Sequence, residues 1–286
     1  MNSNKASEKE KEAIEKYLFQ FTNLEKSYHL LPGIKNTESI AGIFGLETDE
    51  YEKLKDLFRE NAKKAALELL KDDEVIDWLD ELPFSNDDVI VALGDSSTDD
   101  QQGWFEIFQH ILNITVPEAQ FTFVNSGISN NTTTDSLRRM NRDVLAHEPD
   151  WVIVSLGTFD VQRLHFAPGR TLVPLSETWE NLATIEDAIA TVTENPPIWI
   201  TPVPVIPELL ENMELFEFGL ESTDLAQVRE VITGRKGYNV DPLGRRMGNP
   251  PEAWYYLSDG LNPSISGHLN TVKELLRSLA TAKVKE

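Results

Sequence analysis

The hydrophobic pattern changes character near residue 85. From Val89 onward, short apolar runs alternate with longer stretches of helical spacing, whereas the earlier residues carry helical spacing alone. The predicted strands are Val89–Leu93, Phe121–Val124, Trp151–Leu156, Ile198–Thr201 and Tyr238–Asp241. The predicted helices are Trp104–Leu112, Thr134–His147, Glu177–Val192, Asp224–Thr233 and Ser266–Ala280. This alternation predicts an α/β fold with a doubly wound parallel sheet between two layers of helices. The stretch Pro202–Pro251, rich in proline, glycine and charge, predicts a long loop over the sheet edge.

The residues before this alternation predict a helical N-terminal region. Ser7 and Glu10 form a capping box at the start of a first helix. Two further helices, one of them with a continuous apolar stripe, are predicted before Pro83. We therefore expect a helical region at residues 1–84 that caps or extends an α/β domain at residues 85–286.

Composition narrows the expected partners. The chain has 286 residues, no cysteine and a net charge of −22 at pH 7, from 48 acidic and 26 basic residues. Such a surface repels nucleic-acid phosphates, and no apolar run is long enough to span a membrane, so neither partner is expected. The first residues contain no apolar signal segment, and a cytoplasmic location is expected. Without cysteine or clustered histidine we expect no metal and no cofactor, and the oligomeric state stays open.

Candidate chemistry follows the first predicted strand. A glycine ends Val89–Leu93, and Asp95 and Ser96 come directly after it. Open α/β sheets place their active sites at the carboxyl ends of strands, and a serine on such a tight turn can act as a nucleophile. Capping of the next helix by Asp95 or Ser96 explains the same residues, so the turn alone leaves both interpretations open. The neighbouring pair Asp99-Asp100 is expected to be solvated loop charge.

Four polar segments occur in a fixed order along the α/β domain. They are Gly94–Asp99, Asn125–Thr133, Gly157–Asp160 and Ser258–His268. Together they resemble the four conserved blocks of the SGNH (GDSL-type) hydrolases, over a region from about Asp88 to the C-terminus. The resemblance implies a flavodoxin-like three-layer α/β/α sheet. It also implies a serine-dependent esterase or acylhydrolase that acts on a small-molecule ester.

The resemblance implies residue roles as well. Ser96 stands at the position of the nucleophile, and Asp259 stands at the position of the acid that orients the general base. The oxyanion hole of such an enzyme would use the N–H groups of Ser96 and Gly127 and the side chain at position 159.

Two positions depart from the family pattern. Phe159 stands where the family has an oxyanion-hole asparagine, and phenylalanine has no hydrogen-bond donor. Asn262 stands where the family has its catalytic histidine, and an amide cannot accept the serine proton near neutral pH. The sequence therefore predicts an ester hydrolase whose activity is impaired.

Two other histidines are candidates for a substitute base. His165 follows the third segment closely enough to reach the mouth of the site, and His268 begins the last predicted helix. A histidine that hydrogen-bonds at a helix start explains His268 equally. Two further alternatives are a binding or regulatory protein of the same fold that has lost turnover, and an engineered substitution at Asn262.

Overall fold

A computed structural model of the chain describes residues 18–211, 217–243, 247 and 251–281. The capping box predicted at Ser7 and Glu10 lies outside these residues. The strands are β1 (Val89–Gly94), β2 (Thr122–Gly127), β3 (Trp151–Ser155), β4 (Gln162–Leu164), β5 (Ile198–Ile200), β6 (Phe218–Leu220) and β7 (Tyr238–Val240). The helices are α1 (Leu24–Ser27), α2 (Thr37–Ile43), α3 (Thr48–Leu69), α4 (Asp73–Leu79), α5 (Ser96–Asp99), α6 (Trp104–Thr115), α7 (Thr133–Asp143), α8 (Leu175–Ile189), α9 (Pro207–Leu210), α10 (Ser222–Thr233) and α11 (Ile265–Thr281). None of these described helices is both long and apolar enough to cross a membrane.

Five strands form one parallel sheet in the order β2-β1-β3-β5-β7. Gly94, at the end of β1, is level with Gly127 of β2 on one side and with Ser155 of β3 on the other. Counted without β4 and β6, the order is that of the flavodoxin-like doubly wound sheet, which confirms the predicted fold class. In such sheets, ligands bind outside the carboxyl ends of the strands where the order reverses, beside β1 and β3.

Both faces of the sheet are covered, which explains the unbroken apolar run in β1. Ile90 and Ala92 face one layer, in which buried residues of α3, α6 and α11 form a single cluster with them. Val91 and Leu93 face the opposite layer, which contains buried residues of α7, α8 and α10. This two-residue alternation is the expected geometry of a strand buried on both sides.

The N-terminal helices are joined to the α/β domain through α3. Near its start, Tyr51 and Phe58 pack with Phe19 and α2 in a cluster of their own. Further along, Ala62 and Ala66 are completely buried in the same cluster as α6 and α11. The division into residues 1–84 and 85–286 stays a prediction, and the two parts share one core along α3.

The chain differs from the predicted elements in three places. Strands β4 and β6 pair antiparallel as a separate two-stranded sheet, which the pattern does not indicate. The stretch expected as a long loop, Pro202–Pro251, contains α9 and β6 in addition to the predicted α10 and β7. The residues of β4 are mostly polar and those of β6 are interrupted by Gly219, so neither strand forms a short apolar run like the one that predicts β5. The predicted helix Thr134–His147 ends earlier, at Asp143, and continues as the 3-10 turn Leu145–His147.

We expect Gly127→Ala to destabilise the fold by about 1–3 kcal/mol, the typical cost of overpacking. A Cβ at Gly127 would lie 2.5 Å from the Asp99 backbone nitrogen, so the α5 turn would have to move. The matched control is Gly169→Ala, because a Cβ there meets nothing within 4 Å. Urea denaturation compares the midpoints, and equal midpoints for the two variants would contradict the close approach of β2 and α5.

Candidate active site

The turn between β1 and α5 presents Ser96 at the carboxyl edge of the sheet. Asp95 caps α5 by accepting the Ser97 N–H at 3.2 Å, and Ser96 is the first residue of the helix. Ser96 is buried, with 4% of its surface exposed. Gly94 permits the turn, because a Cβ there would lie 2.0 Å from Thr98 Oγ1. The sequence therefore folds into a tight strand-to-helix turn that begins the helix at the candidate nucleophile.

The loop after β2 places a backbone donor against Ser96. The Asn130 N–H donates to Ser96 Oγ at 3.0 Å. Asn130 has a φ of 62°, in the left-handed region that asparagine tolerates better than most residues. This conformation directs the loop N–H towards the serine hydroxyl.

The assignment of Gly127 to the oxyanion hole stays a prediction. Gly127 is the last residue of β2, and its N–H donates to the Asn125 side chain at 3.0 Å. Asn130, three residues further along the chain, supplies the N–H that reaches Ser96. A sequence signal was available in the Asn130-Asn131 pair, since asparagine is enriched where the chain adopts a positive φ.

A buried guanidinium fixes this loop to the ends of the two strands. Arg139 of α7 donates to the Gly94 carbonyl at 3.1 Å, to the Ser126 carbonyl at 2.6 Å and to Asn131 Oδ1 at 2.7 Å. Arg139 is 7% exposed and also forms an ion pair with Asp143. The sequence analysis did not identify Arg139 as a residue of the site.

Asp259 and Asn262 lie together in the turn before α11. Asn262 Nδ2 donates to Asp259 Oδ2 at 2.8 Å, and the N–H of Asn262 donates to Asp259 Oδ1 at 2.8 Å. The Leu261 N–H also donates to Asp259 Oδ1, at 2.9 Å, and Asp259 is fully buried. The carboxylate therefore orients the side chain at position 262, which carries no titratable nitrogen.

Phe159 supplies no donor to the site, and its neighbour Asp160 has a structural function. The Phe159 side chain is 2% exposed and belongs to the core layer of α7 and α8, with its ring 6.4 Å from that of Phe218. Asp160 accepts hydrogen bonds from Thr133 and from the Thr178 hydroxyl, which connect the β3 loop to α7 and α8. Burial is the main reason that the pKa of Asp160 is raised.

His268 is held by hydrogen bonds on both ring nitrogens. Its Nδ1 accepts the Trp104 N–H at 3.2 Å, and its Nε2 lies 3.0 Å from Asp100 Oδ2. A neutral ring with its proton on Nε2 satisfies both contacts. The ring therefore caps the N-terminus of α6, and neither nitrogen is available as a substitute base.

His165 lies away from the serine turn. It is exposed, directly after β4, and its backbone N–H donates to the Glu217 carbonyl at 3.1 Å. Within the residues that the structure describes, no contact links its imidazole to Ser96 or Asn262. The structure therefore brings Ser96 together with Asn130, and Asp259 together with Asn262, but it does not bring His165 into either group.

The pair Asp99-Asp100 is buried, so its prediction as solvated loop charge was wrong. Asp99 Oδ1 accepts a hydrogen bond from the Lys26 ammonium at 2.7 Å. Asp100 Oδ2 accepts one from Gln20 Nε2 at 2.8 Å and also contacts the His268 ring. These partners are distant in sequence, and a local pattern cannot reveal them.

A cavity opens at the carboxyl ends of β1, β3 and β5. Its wall includes Asp95, Ser97, Thr158, Phe159 and Asn262. Ser96 lies beside it, between two of the lining residues in the chain. Within the described part of the chain, no cluster of three or more histidine and carboxylate side chains suits a metal ion.

Among the residues that line this cavity, Asp95 has a strongly raised pKa. Burial raises the pKa of Asp95 from 3.8 to about 7, against hydrogen bonds from Ser97 and Thr158 that lower it. The folded protein thus retains a proton that the unfolded chain releases, and the free energy of unfolding falls as the pH rises between these two values. It levels off above the folded-state pKa, after a loss of about 4 kcal/mol.

We expect Asp95→Asn to remove this component of the pH dependence. The amide oxygen can still accept the Ser97 N–H, but the side chain no longer titrates. The stability gained by the variant over the original protein should grow from about pH 4 to about pH 7 and then stay constant. Urea denaturation at a series of pH values measures the difference, with the exposed Asp56→Asn as control. A difference that does not change with pH would contradict a raised pKa at Asp95.

Comparisons with known proteins agree with this arrangement. The GDSL-like lipase/acylhydrolase family matches residues 92–269 of the chain. The chain is 25% identical over 178 residues to an acetylxylan esterase of Geobacillus stearothermophilus, which covers 59% of this chain and 77% of that protein.

Solved structures share the fold. The structure of an acetylxylan esterase from G. stearothermophilus has a TM-score of 0.53 at 22% identity, covering 69% of this chain and 96% of that one. A lipase/acylhydrolase from Enterococcus faecalis has a TM-score of 0.53 at 21% identity, with coverages of 69% and 97%. An α/β hydrolase from the metagenome of Lake Arreo has a TM-score of 0.55 at 22% identity, with coverages of 68% and 96%.

Catalytic mutants of the Geobacillus esterase replace a serine, an aspartate and a histidine, the last two three positions apart in its chain. The family match spans more than half of the present chain and includes the serine turn, the loop after β2, the β3 loop and the Asp259 turn. The chain therefore belongs to the GDSL-like lipase/acylhydrolase family.

Proposed function

We propose that this protein is a serine ester hydrolase of the SGNH type, with Ser96 as nucleophile and with low turnover because Asn262 occupies the position of the base. The observation that carries the proposal is the contact between Ser96 Oγ and the Asn130 N–H at 3.0 Å, on the turn that starts α5. This contact brings a serine hydroxyl and a backbone N–H together at the carboxyl edge of the sheet. Acyl transfer needs both groups, the hydroxyl as nucleophile and the N–H as a donor to the acyl oxygen.

The chemistry follows from these two groups. Ser96 is the first residue of α5, so its N–H is one of the donors that a helix leaves without an intrahelical partner. Together with the Asn130 N–H, it can donate to the acyl oxygen as negative charge develops there. Ser96 Oγ attacks the acyl carbon and gives its proton to water, and the ester C–O bond breaks as the leaving oxygen takes a proton from water to become the alcohol. A water molecule then cleaves the acyl-serine bond, which gives the carboxylic acid and restores the Ser96 hydroxyl.

The missing function is proton transfer. An imidazole at position 262 would donate the N–H of one nitrogen to the Asp259 carboxylate and leave the other nitrogen to accept the serine proton, but the Asn262 amide takes no proton near neutral pH. Loss of the base from a serine triad reduces turnover by about 10⁶ in the best-studied case. The missing donor at Phe159 adds about 2.7–4 kcal/mol to the barrier.

We propose a short acyl ester, such as an acetyl ester, as the substrate class. The support is the likeness to the acetylxylan esterase of G. stearothermophilus, an enzyme of acetyl esters by its name. The alcohol part of the substrate is not specified by this likeness.

A second candidate is a binding protein of the same fold that has lost turnover. The observation that favours it is that Asn262 and Phe159 are both well accommodated. The Asn262 amide is hydrogen-bonded to Asp259, and the Phe159 ring is buried in the core. Both side chains therefore make favourable contacts in the folded protein.

Asn262→His is expected to raise the hydrolysis of a short activated ester by several orders of magnitude. The new imidazole would find Asp259 already oriented towards position 262, and it would accept the Ser96 proton. Its rate should increase with pH as the imidazole deprotonates, around its ordinary pKa of about 6.5. The measurement is kcat/KM for p-nitrophenyl acetate from pH 5 to 9.

Two variants control this experiment. Asn262→Gln changes the same side chain without adding a base and should give no gain, while Asn262→His combined with Ser96→Ala should return to the original rate. A folded Asn262→His variant without any gain favours the binding protein. Rapid hydrolysis by the original chain that Ser96→Ala abolishes would instead require a base outside the groups described above.

A further inference from the structure

The N-terminal segment at residues 19–27, here called the strap, lies directly on the serine turn and on the loop after β2. Four hydrogen bonds fasten it there besides those of Lys26. They are Gln101 Nε2 to the Phe19 carbonyl at 2.6 Å, the Gln101 N–H to the Gln20 carbonyl at 3.2 Å, Gln20 Nε2 to Asp100 Oδ2 at 2.8 Å, and Ser129 Oγ to the Phe21 carbonyl. The strap lies outside the residues that match the family, so the family likeness assigns it no function.

Lys26 is the strongest attachment of the strap. Its ammonium donates to Asp99 Oδ1 at 2.7 Å, to Asn125 Oδ1 at 2.9 Å and to the Gly127 carbonyl at 3.0 Å. These three bonds use all the donors of a lysine side chain. The Lys26 side chain is 20% exposed and that of Asp99 is 1% exposed, so solvent screens this ion pair weakly.

The same contacts lead to the oxyanion donor. The second oxygen of Asp99 accepts both the N–H and the hydroxyl of Ser129 at 3.0 Å. Ser129 is followed by Asn130, whose left-handed backbone directs its N–H at Ser96 Oγ. A backbone in this region persists only when its surroundings hold it, and Lys26, Asp99 and Ser129 form a continuous chain of such contacts.

We propose that Lys26 is a positioning residue, through which the strap holds the loop Asn125–Asn131 in the conformation that places the Asn130 N–H at Ser96. The part of the inference that concerns the oxyanion rests on the proposed ester hydrolysis, whereas the part that concerns the loop does not. A merely structural lysine would stabilise the whole fold evenly. A positioning lysine acts on this loop and on the transition state.

The first test measures the loop itself. Hydrogen–deuterium exchange of the full chain compares Lys26→Met with the exposed Lys35→Met, which is the same substitution elsewhere in the N-terminal region. Exchange in the peptide that covers residues 125–131 should rise by roughly tenfold or more in Lys26→Met, because loss of one partner leaves a buried carboxylate unpaired. Lys26→Arg, which keeps the charge, should restore much of the protection.

The second test measures catalysis, in the Asn262→His background. Lys26→Met should lower kcat by roughly tenfold with little change in KM, because the Asn130 N–H binds the oxyanion more strongly than the substrate. Lys26→Arg should recover part of kcat, and Lys35→Met should leave kcat unchanged. If Lys26→Met does not fold, Lys26→Gln, which retains an amide donor, replaces it in both tests.

The outcomes separate the two proposals. Unchanged exchange at residues 125–131, or an equal rise over the whole chain, would overturn the positioning by Lys26. Faster exchange limited to this loop supports it, whether or not an ester is hydrolysed. If the Asn262→His protein hydrolyses no ester, the proposed function fails while the exchange result still decides the inference about the strap. If it is active and Lys26→Met leaves kcat unaltered, the loop position does not matter for catalysis and the part of the inference that concerns the oxyanion is overturned.

Discussion

One buried guanidinium holds the carboxyl edge of this sheet together. Near the ends of β1 and β2, buried backbone carbonyls need donors, because an unsatisfied buried carbonyl is costly. The Gly94 carbonyl accepts the Ile128 N–H at 3.1 Å, and further donors come from a side chain. Arg139 supplies them to Gly94 and Ser126 and adds a third bond to Asn131. The serine turn and the loop after β2 are therefore aligned with each other by the protein itself. Ser96 and Asn130 meet as a consequence of this alignment.

The fold was predictable from sequence because it depends on local periodicity. The run from Val89 is apolar on both faces, and it forms the buried central strand that this pattern indicates. The alternation of strands and helices likewise identifies the doubly wound sheet. The β4–β6 pair was not predictable, since β4 is mostly polar, Gly219 interrupts β6, and Gln162 pairs with Leu220, which is far away in the chain.

The site was predictable only where a residue type itself carries chemistry. Ser96 and Asp259 stand on the predicted turns, and Asn262 is beside Asp259 as its position indicates. The contact of the Asn130 N–H with Ser96 was not predicted, because the direction of a backbone N–H depends on the chain conformation, here the φ of Asn130, and not on the residue type. The burial of Asp99 was missed for a related reason: its cation, Lys26, comes from a helical region that local patterns treat as separate.

Some residues at the carboxyl edge of the sheet favour stability, and others reduce it. Asn262 satisfies the Asp259 carboxylate and Phe159 fills the core, so both side chains favour stability at positions where the family resemblance predicts a base and an oxyanion donor. The serine turn and the loop after β2 keep two features that cost stability. They are the left-handed backbone of Asn130 and the buried carboxyl of Asp95, whose pKa is raised to about 7. Strain and buried ionisable groups persist where the surrounding structure over-determines them, typically at sites that bind. The Asn130 N–H that we propose as a donor to the acyl oxygen is therefore held in place at a cost, whereas the proposed position of the base carries a residue that favours stability.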